Sequence, residues 1–356
     1  MFDHLNATTF SHQQQPGDFT SARAAGQLLI LGFDGTKYTP AMGSWFKEFK
    51  PGGVILFARN MEEPGQIKRL VSDIVKLSED VTGMIPFVCV DQEGGRVSRL
   101  PVKHYPEFPT ARALAMDGSE ERVRENYREI GNILHGLGFN VDFAPVADLD
   151  TNPGNPIIGD RSFGSDPDKV SRFVAASIRG LKDAGILSCA KHFPGHGDTS
   201  LDSHLDLPED QRPAQRFYDA ELAPFAAAAA EGVDFFMTAH VVYPAFDPRN
   251  PATLSEIIIQ GIARDRIGYD GIIAGDDMDM KAIAGRWGDG QAARMALQAG
   301  VDMLLVCHET PRRRTVFNAV LEAVESGLVD GPKVHERLER IIKAKNKILS
   351  IGGNNA

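Results

Sequence analysis

The chain has 356 residues, of which 42% are hydrophobic and 24% charged, and its formal net charge is −10 at pH 7. This is the composition of a globular protein, and the acidic balance argues against general binding to nucleic acids or to anionic membranes. No run of about 18 apolar residues occurs, so no membrane span is predicted.

The amino terminus and the cysteines indicate the compartment. The first 21 residues contain neither a basic start nor an apolar run, so they do not have the pattern of a secretory signal. Cys89, Cys189 and Cys307 each lie within an apolar run, and an odd number of buried thiols is typical of a reducing compartment. We therefore expect a cytoplasmic protein.

Eight short apolar runs alternate with helix-like segments along the chain. The predicted strands are 27–33, 54–57, 86–90, 140–144, 186–190, 234–237, 271–274 and 302–306. The predicted helices are 41–49, 64–77, 117–137, 166–184, 214–231, 255–266, 291–299, 316–326 and 334–349.

This alternation predicts an α/β fold with a parallel sheet, and eight units suggest closure into a single (β/α)8 TIM-type barrel. An open doubly wound sheet is the competing fold, but no glycine-rich dinucleotide fingerprint follows the first strand. We expect a polar and mobile lead-in over residues 1–21, followed by one catalytic domain over residues 22–356.

A polar residue follows closely on each predicted strand. These residues are Asp34, Arg59, Asp91, Asp148, Lys191, His240, Asp276 and His308. Because active sites of such barrels lie at the carboxyl ends of the strands, we expect these side chains to surround one site.

The stretch after the fifth predicted strand is the richest in chemical groups. Lys191 and His192 follow the strand, and a glycine-containing loop then carries Asp202 and His204. Residues two apart in an extended loop point to the same side, so the Asp202 carboxylate can accept a hydrogen bond from the His204 ring. The competing interpretation is a turn-capping aspartate beside a solvated histidine.

Two reaction classes suit this set of carboxylates, histidines and cations. One is glycoside hydrolysis, in which a carboxylate of the Asp276-Asp277 pair attacks a sugar anomeric carbon. The other is hydrolysis at a metal held by histidines and aspartates. For the aspartate pair, the structural alternative is a cap of the following helix.

Four motifs together resemble family 3 glycoside hydrolases, specifically the bacterial β-N-acetylhexosaminidases. They read VDQEGGRVSRL, KHFPGHGDTSLDSH, MTAHVVYPAFDP with PATLS, and GDDMDMKAI. The resemblance extends from about Gly26 to the carboxyl end, and the KHFPGHGDT run is highly specific.

The resemblance implies a role for each matching residue. Asp276 would be the nucleophile, and His204 the general acid/base with Asp202 as its support. The residues that would bind the non-reducing N-acetylglucosamine are Asp91, Arg99, Arg161, Lys191 and His192. The chain departs from the family pattern at Gly275, where serine or threonine is common, and at Met278, where leucine is common. Asp277 is the second choice for the nucleophile.

The resemblance also implies the activity. We expect a retaining exo-β-N-acetylglucosaminidase that releases N-acetylglucosamine from 1,6-anhydro-muropeptides during peptidoglycan recycling. We expect it to act as a cytoplasmic monomer on a small sugar, with no cofactor, metal, nucleic acid or membrane partner. A histidine acid/base does not repel an anion as a carboxylate would, so phosphorolysis by the same site is an alternative.

Two further alternatives come from other classes. A metal-dependent barrel hydrolase would use an aspartate and the histidines His192, His196, His204 and His240. A non-catalytic sugar-binding barrel would bind without turnover.

Overall fold

The computed structural model describes residues 19–116, 118–199, 207–308 and 311–353. Eight parallel strands close into a barrel in chain order, and the last of them pairs with the first. The prediction of a (β/α)8 barrel is confirmed. The predicted lead-in lies almost entirely outside the described residues.

The described residues form ten strands, of which eight make the barrel and two make an antiparallel pair after the sixth barrel strand. The strands are β1 (Leu29–Gly32), β2 (Gly53–Ile55), β3 (Phe87–Val90), β4 (Val141–Asp142), β5 (Leu187–Phe193), β6 (Phe235–Thr238), β7 (Val242–Tyr243), β8 (Asp247–Pro251), β9 (Ile272–Gly275) and β10 (Met303–Val306). Every residue of the barrel strands is buried, as expected of parallel strands covered on both faces.

Helices surround the barrel and connect its strands. They are α1 (Ser21–Gln27), α2 (Pro40–Phe49), α3 (Pro64–Thr82), α4 (Ala111–Met116), α5 (Glu120–Leu137), α6 (Pro167–Asp183), α7 (Ala214–Arg216), α8 (Ala223–Glu231), α9 (Lys281–Trp287), α10 (Asp289–Ala299), α11 (Arg312–Glu325) and α12 (Gly331–Gly353). Two segments, Phe217–Glu221 and Ile257–Arg266, are π-helical.

Local sequence signals explain several helix boundaries. The side chain of Ser119 caps α5 by accepting a hydrogen bond from a backbone amide of the first turn. Asp166 caps α6 in the same way, and Pro167 then occupies the first turn, where a missing amide hydrogen costs nothing. Gly138, at φ 94°, ends α5 in the left-handed conformation.

Several predicted boundaries were wrong by a few residues, and two of the differences have a clear physical cause. The helix predicted over 214–231 is divided into α7, a π-helical turn and α8, because Pro224 near the start of α8 has no amide hydrogen to continue a helix through it. The fifth strand does not end before Lys191. It runs to Phe193, so Lys191 and His192 are part of the buried barrel wall.

Aromatic rings pack against one another inside the barrel. Phe235 lies 5.3 Å from Phe87 and 6.1 Å from Phe143 between ring centroids. Below them, Lys345 of α12 is 2% exposed and donates a 2.7 Å hydrogen bond to Oε1 of Gln27. The amino end is therefore closed, and any ligand must enter from the opposite end. Within the described parts of the chain, no helix combines the length and hydropathy that a membrane crossing requires.

Candidate active site

A cleft of about 280 Å³ opens at the carboxyl ends of the barrel strands. It is lined by ten ionisable side chains, together with apolar ones such as Phe57, Phe143 and Met237. The ionisable residues are Asp91, Glu93, Arg99, Arg161, Lys191, His192, His196, Asp276, Asp277 and His308. All five residues predicted to bind sugar and the predicted nucleophile thus line a single cleft.

Two cations and two carboxylates form a connected network in this cleft. Nζ of Lys191 lies 2.8 Å from Oδ1 of Asp91 and 2.6 Å from Oε1 of Glu93. Arg161 donates two hydrogen bonds of 2.8 Å to the two oxygens of Glu93. The order of charges therefore alternates through the network, and each cation is held in place by a carboxylate.

Glu93 is the residue of this network that the sequence prediction missed. Burial alone would raise the pKa of its carboxyl, but the charges and hydrogen bonds of Arg161 and Lys191 lower that pKa well below its usual range. Asp91 and Glu93 in turn raise the pKa of Lys191, although its burial acts in the opposite direction. Glu93 belongs to the first family motif, but its partners are 68 and 98 positions away, so its neighbours in the sequence give no sign of them.

Asp148 was predicted among the polar residues at the strand ends, but the sequence assigned it no role. It is fully buried, and its Oδ2 lies 2.7 Å from Nδ1 of His192. The backbone amides of His192 and His196 also donate to its carboxylate. Burial would raise the pKa of Asp148, but the two histidines lower it, so the residue is an ionised anchor that orients the His192 ring.

The His196 ring has a different environment. Its Nδ1 lies 2.7 Å from the hydroxyl of Thr199, and Asn155 donates to its backbone carbonyl. Burial, together with the neighbouring His192, lowers the pKa of His196 to about 4, so its ring is neutral at physiological pH.

The adjacent carboxylates Asp276 and Asp277 differ in their surroundings. For Asp276, burial would raise the pKa, but His240 and His192 lower it below the usual value. For Asp277, burial and the charge of Asp279 raise the pKa to about 6. Oδ1 of Asp277 also accepts two backbone hydrogen bonds, from Asp279 at 3.0 Å and Cys307 at 3.1 Å. At neutral pH the Asp276 carboxyl is therefore ionised, which is the form that a nucleophilic carboxylate requires.

Asp202 and His204 lie outside the described residues, but the chain on both sides of them is anchored. Nε of Arg212 lies 3.3 Å from Oδ2 of Asp198 and donates at 2.9 Å to Oδ1 of Asp210. One guanidinium therefore joins the segment before residues 200–206 to the segment after them.

Gly197, in the loop that follows β5, lies where two backbones pass close to each other. A Cβ at position 197 would lie 1.6 Å from the backbone oxygen of Leu149. Only glycine allows this close approach of the two backbones.

The histidines proposed for a metal site do not form one among the described residues. The one group of ligand atoms with suitable spacing there consists of Asp277, Asp279 and His308. His192 Nδ1 is instead bonded to Asp148, and both ring nitrogens of His240 have protein partners.

Another cavity, of about 230 Å³, lies at the amino ends of β6 and β9. Its two lysines pair with aspartates of the same lining, Lys347 with Asp234 at 2.7 Å and Lys343 with Asp270 at 3.2 Å. It has none of the residues that the sequence motifs single out.

Comparisons with known proteins agree with this geometry. Residues 22–344 match the glycosyl hydrolase family 3 N-terminal domain. The chain is 40% identical to a beta-hexosaminidase of Thiobacillus denitrificans over 265 residues, which cover 72% of this chain and 71% of that one. It is 38% identical to a beta-hexosaminidase of Pseudomonas aeruginosa, covering 79% and 82% of the two chains.

A solved structure is also similar. It is a glycoside hydrolase family 3 beta-N-acetylglucosaminidase from Paenibacillus sp. str. FPU-7, with a TM-score of 0.90 and 38% identity. The match covers 93% of this chain and 63% of that one. The chain belongs to glycosyl hydrolase family 3, among its β-N-acetylhexosaminidases.

Proposed function

We propose that the protein is a retaining exo-β-N-acetylglucosaminidase. The observation that supports this best is the placement of the ionised Asp276 carboxylate in the same cleft as the Lys191–Asp91–Glu93–Arg161 network. A nucleophile and a rigid set of hydrogen-bonding groups within one small cleft are what a glycosidase requires for a terminal sugar.

The reaction has two steps. The Asp276 carboxylate attacks the anomeric carbon and the glycosidic bond breaks, while His204 donates a proton to the departing oxygen. His204 then removes a proton from water, which attacks the same carbon and releases Asp276. Asp202 would accept a hydrogen bond from His204 and stabilise its charged form. Two inversions at one carbon retain the β configuration.

The binding groups suit the hydroxyls of a neutral sugar. Asp91 uses one oxygen for Lys191, and a carboxylate can accept several more hydrogen bonds. Nε of Arg99 is buried and has no hydrogen-bond partner within the described ranges, which leaves a donor for a sugar oxygen. His192 is held at Nδ1 by Asp148, and its Nε2 lies 3.5 Å from Nη2 of Arg161, so the two side chains stand side by side in the cleft.

The substrate proposed is N-acetylglucosaminyl-1,6-anhydro-N-acetylmuramic acid, with or without its peptide, and the role is peptidoglycan recycling in the cytoplasm. We propose that residues 22–356 act as one catalytic domain, as a monomer and without a metal or cofactor. This part of the proposal comes from the family resemblance.

The first test is hydrolysis of 4-nitrophenyl N-acetyl-β-glucosaminide by the wild type, Asp276→Ala, Asp277→Ala and His204→Ala. We expect turnover by the wild type and its loss in Asp276→Ala. Azide should accelerate His204→Ala and yield the β-glycosyl azide, because azide needs no general base. Full activity in Asp276→Ala would show that the nucleophile is misassigned.

A second test addresses the acceptor and the substrate. The wild type is incubated with the anhydro-disaccharide in buffer with and without phosphate, and the products are identified by mass spectrometry. Free N-acetylglucosamine in both buffers supports hydrolysis. The sugar 1-phosphate as main product would establish the phosphorylase instead. Turnover of the chromogenic substrate alone would refute the proposed natural substrate.

A further inference from the structure

His240 is a fully buried histidine that the proposed mechanism does not use. Its Nε2 lies 3.0 Å from the backbone oxygen of Asp277, and its Nδ1 lies 2.7 Å from the hydroxyl of Thr253. That hydroxyl also lies 2.8 Å from the hydroxyl of Thr238. The chain of hydrogen bonds thus starts at the end of β6 and finishes at the residue after Asp276.

We propose that Thr253 and His240 are positioning residues that hold the Asp276–Asp277 backbone in its reactive geometry. The inference rests on the proposed role of Asp276 as nucleophile and extends it to two residues that do not touch the substrate. It assigns a function to the MTAH and PATLS motifs, which the proposed mechanism leaves unused.

The hydrogen-bond chemistry determines where the proton on His240 lies. A backbone carbonyl can only accept, so Nε2 must donate to the oxygen of Asp277. In the neutral ring, Nδ1 then accepts from the hydroxyl of Thr253. The carbonyl of Asp277 thus fixes the tautomer, and the Thr253 hydroxyl, which also lies 3.2 Å from the backbone oxygen of Ala239, supports it by donating to Nδ1 at the shorter distance of 2.7 Å.

Asp277 connects His240 to the nucleophile. The backbone amide of Asp277 donates a 2.7 Å hydrogen bond to Oδ1 of Asp276, while its carbonyl accepts from His240. A shift of the Asp277 backbone would therefore displace the donor that orients the Asp276 carboxylate. Small displacements at a nucleophile have large effects on rate.

Gly275, which has no side chain, leaves room for the side chain of Thr253. A Cβ at Gly275 would lie 3.2 Å from Cγ2 of Thr253, closer than ordinary contact. Gly275 is where this chain departs from the serine or threonine common in the family. The absence of a side chain there lets the methyl group of Thr253 pack against the end of β9, with its hydroxyl directed at His240.

Four ionisable neighbours influence the charge of Asp276. His192, Lys191 and a protonated His240 favour its ionised form, and the adjacent Asp277 carboxylate disfavours it. The backbone amide of Asp277 also favours the ionised form through its hydrogen bond to Asp276. Removing His240 would displace this amide, which predicts a shift of the acid limb of the pH–rate profile to higher pH. A residue that only fills space would not move this limb.

The test compares Thr253→Val, which keeps the shape and removes the hydroxyl, with Thr253→Ser, which keeps the hydroxyl and removes the methyl. The measured quantity is the rate at which a 5-fluoro-N-acetylglucosaminyl fluoride labels Asp276, followed by intact mass, alongside KM for the chromogenic substrate. We expect labelling about tenfold slower in Thr253→Val, with KM within about twofold, and most of the rate restored in Thr253→Ser.

Three outcomes would overturn the inference. The first is labelling at the wild-type rate in both Thr253 variants. The second is equally slow labelling in both variants, which would mean that Thr253 acts by packing alone. The third is a rise in KM without slower labelling. His240→Asn adds the pH profile, and an unmoved acid limb in that variant when folded also counts against the inference. If His240→Asn does not fold, the comparison of Thr253→Val with Thr253→Ser tests the inference alone. Labelling that persists in Asp276→Ala would instead refute the proposed nucleophile.

Discussion

The buried amine of Lys345 should make the protein more stable as the pH rises. Burial and the charge of Arg23 lower the pKa of Lys345 from 10.5 to about 7. Folding therefore carries a free-energy cost when Lys345 is protonated. The full cost applies below pH 7, where the amine is protonated in both the folded and the unfolded protein. The cost disappears as the pH rises through the interval between the folded and unfolded pKa values.

The size of the effect follows from the shift. At about 1.4 kcal/mol for each pH unit, a depression from 10.5 to about 7 costs on the order of 5 kcal/mol at neutral pH. Replacing Lys345 with methionine removes this cost but leaves Oε1 of Gln27 without its donor, at a penalty of about 1–3 kcal/mol. We expect a net stabilisation of roughly 2–4 kcal/mol at pH 7.

The measurement is the free energy of urea unfolding of wild type and Lys345→Met at several pH values from 6 to 10. The advantage of the variant should decline by about 3 kcal/mol between pH 7 and pH 9. Lys343→Met is the control, because Lys343 lies on the same helix with its side chain 66% exposed. A constant difference between Lys345→Met and wild type at every pH would refute the reasoning.

Three other changes test the site. Asp148→Asn should lower kcat/KM of the chromogenic reaction by about a hundredfold, because the His192 ring loses its ionised partner, and an unchanged kcat/KM would contradict this orienting role. Glu93→Gln leaves two buried cations without their shared carboxylate, so the melting temperature should fall and KM should rise. Wild-type values of both quantities would contradict the role of Glu93 in this network. Gly197→Ala would place a Cβ 1.6 Å from the Leu149 oxygen, so we expect a protein that is inactive or poorly folded. Activity assays and circular dichroism measure this. Full activity would mean that the loop adjusts to the methyl group without a free-energy cost.

Much of the fold follows from local patterns. Barrel strands are short apolar runs with both faces buried, and the polar residues that end them mark the active face. The boundary errors also have local causes. Lys191 and His192 look like loop residues because they are charged and polar, yet their ion partners allow them to lie inside β5.

The organisation of the site is less accessible to sequence. Residues such as Asp91 and Asp276 could be chosen because each stands at a strand end within a specific motif. Glu93 could not be chosen, and Asp148 could be placed at a strand end but given no role, because the partners of both are brought close only by barrel closure. Asp148 lies 44 positions from His192, with no periodic pattern between them.

The alternating network of Lys191, Glu93 and Arg161 has a thermodynamic consequence for catalysis. These groups lose most of their hydration when the chain folds, and their mutual attraction compensates for that loss at the same stage. An uncharged sugar then meets fixed dipoles and needs no solvent reorganisation around bare ions. The charged groups are desolvated once, when the protein folds, and not again in each catalytic cycle. The turnover of a neutral substrate should accordingly be insensitive to ionic strength.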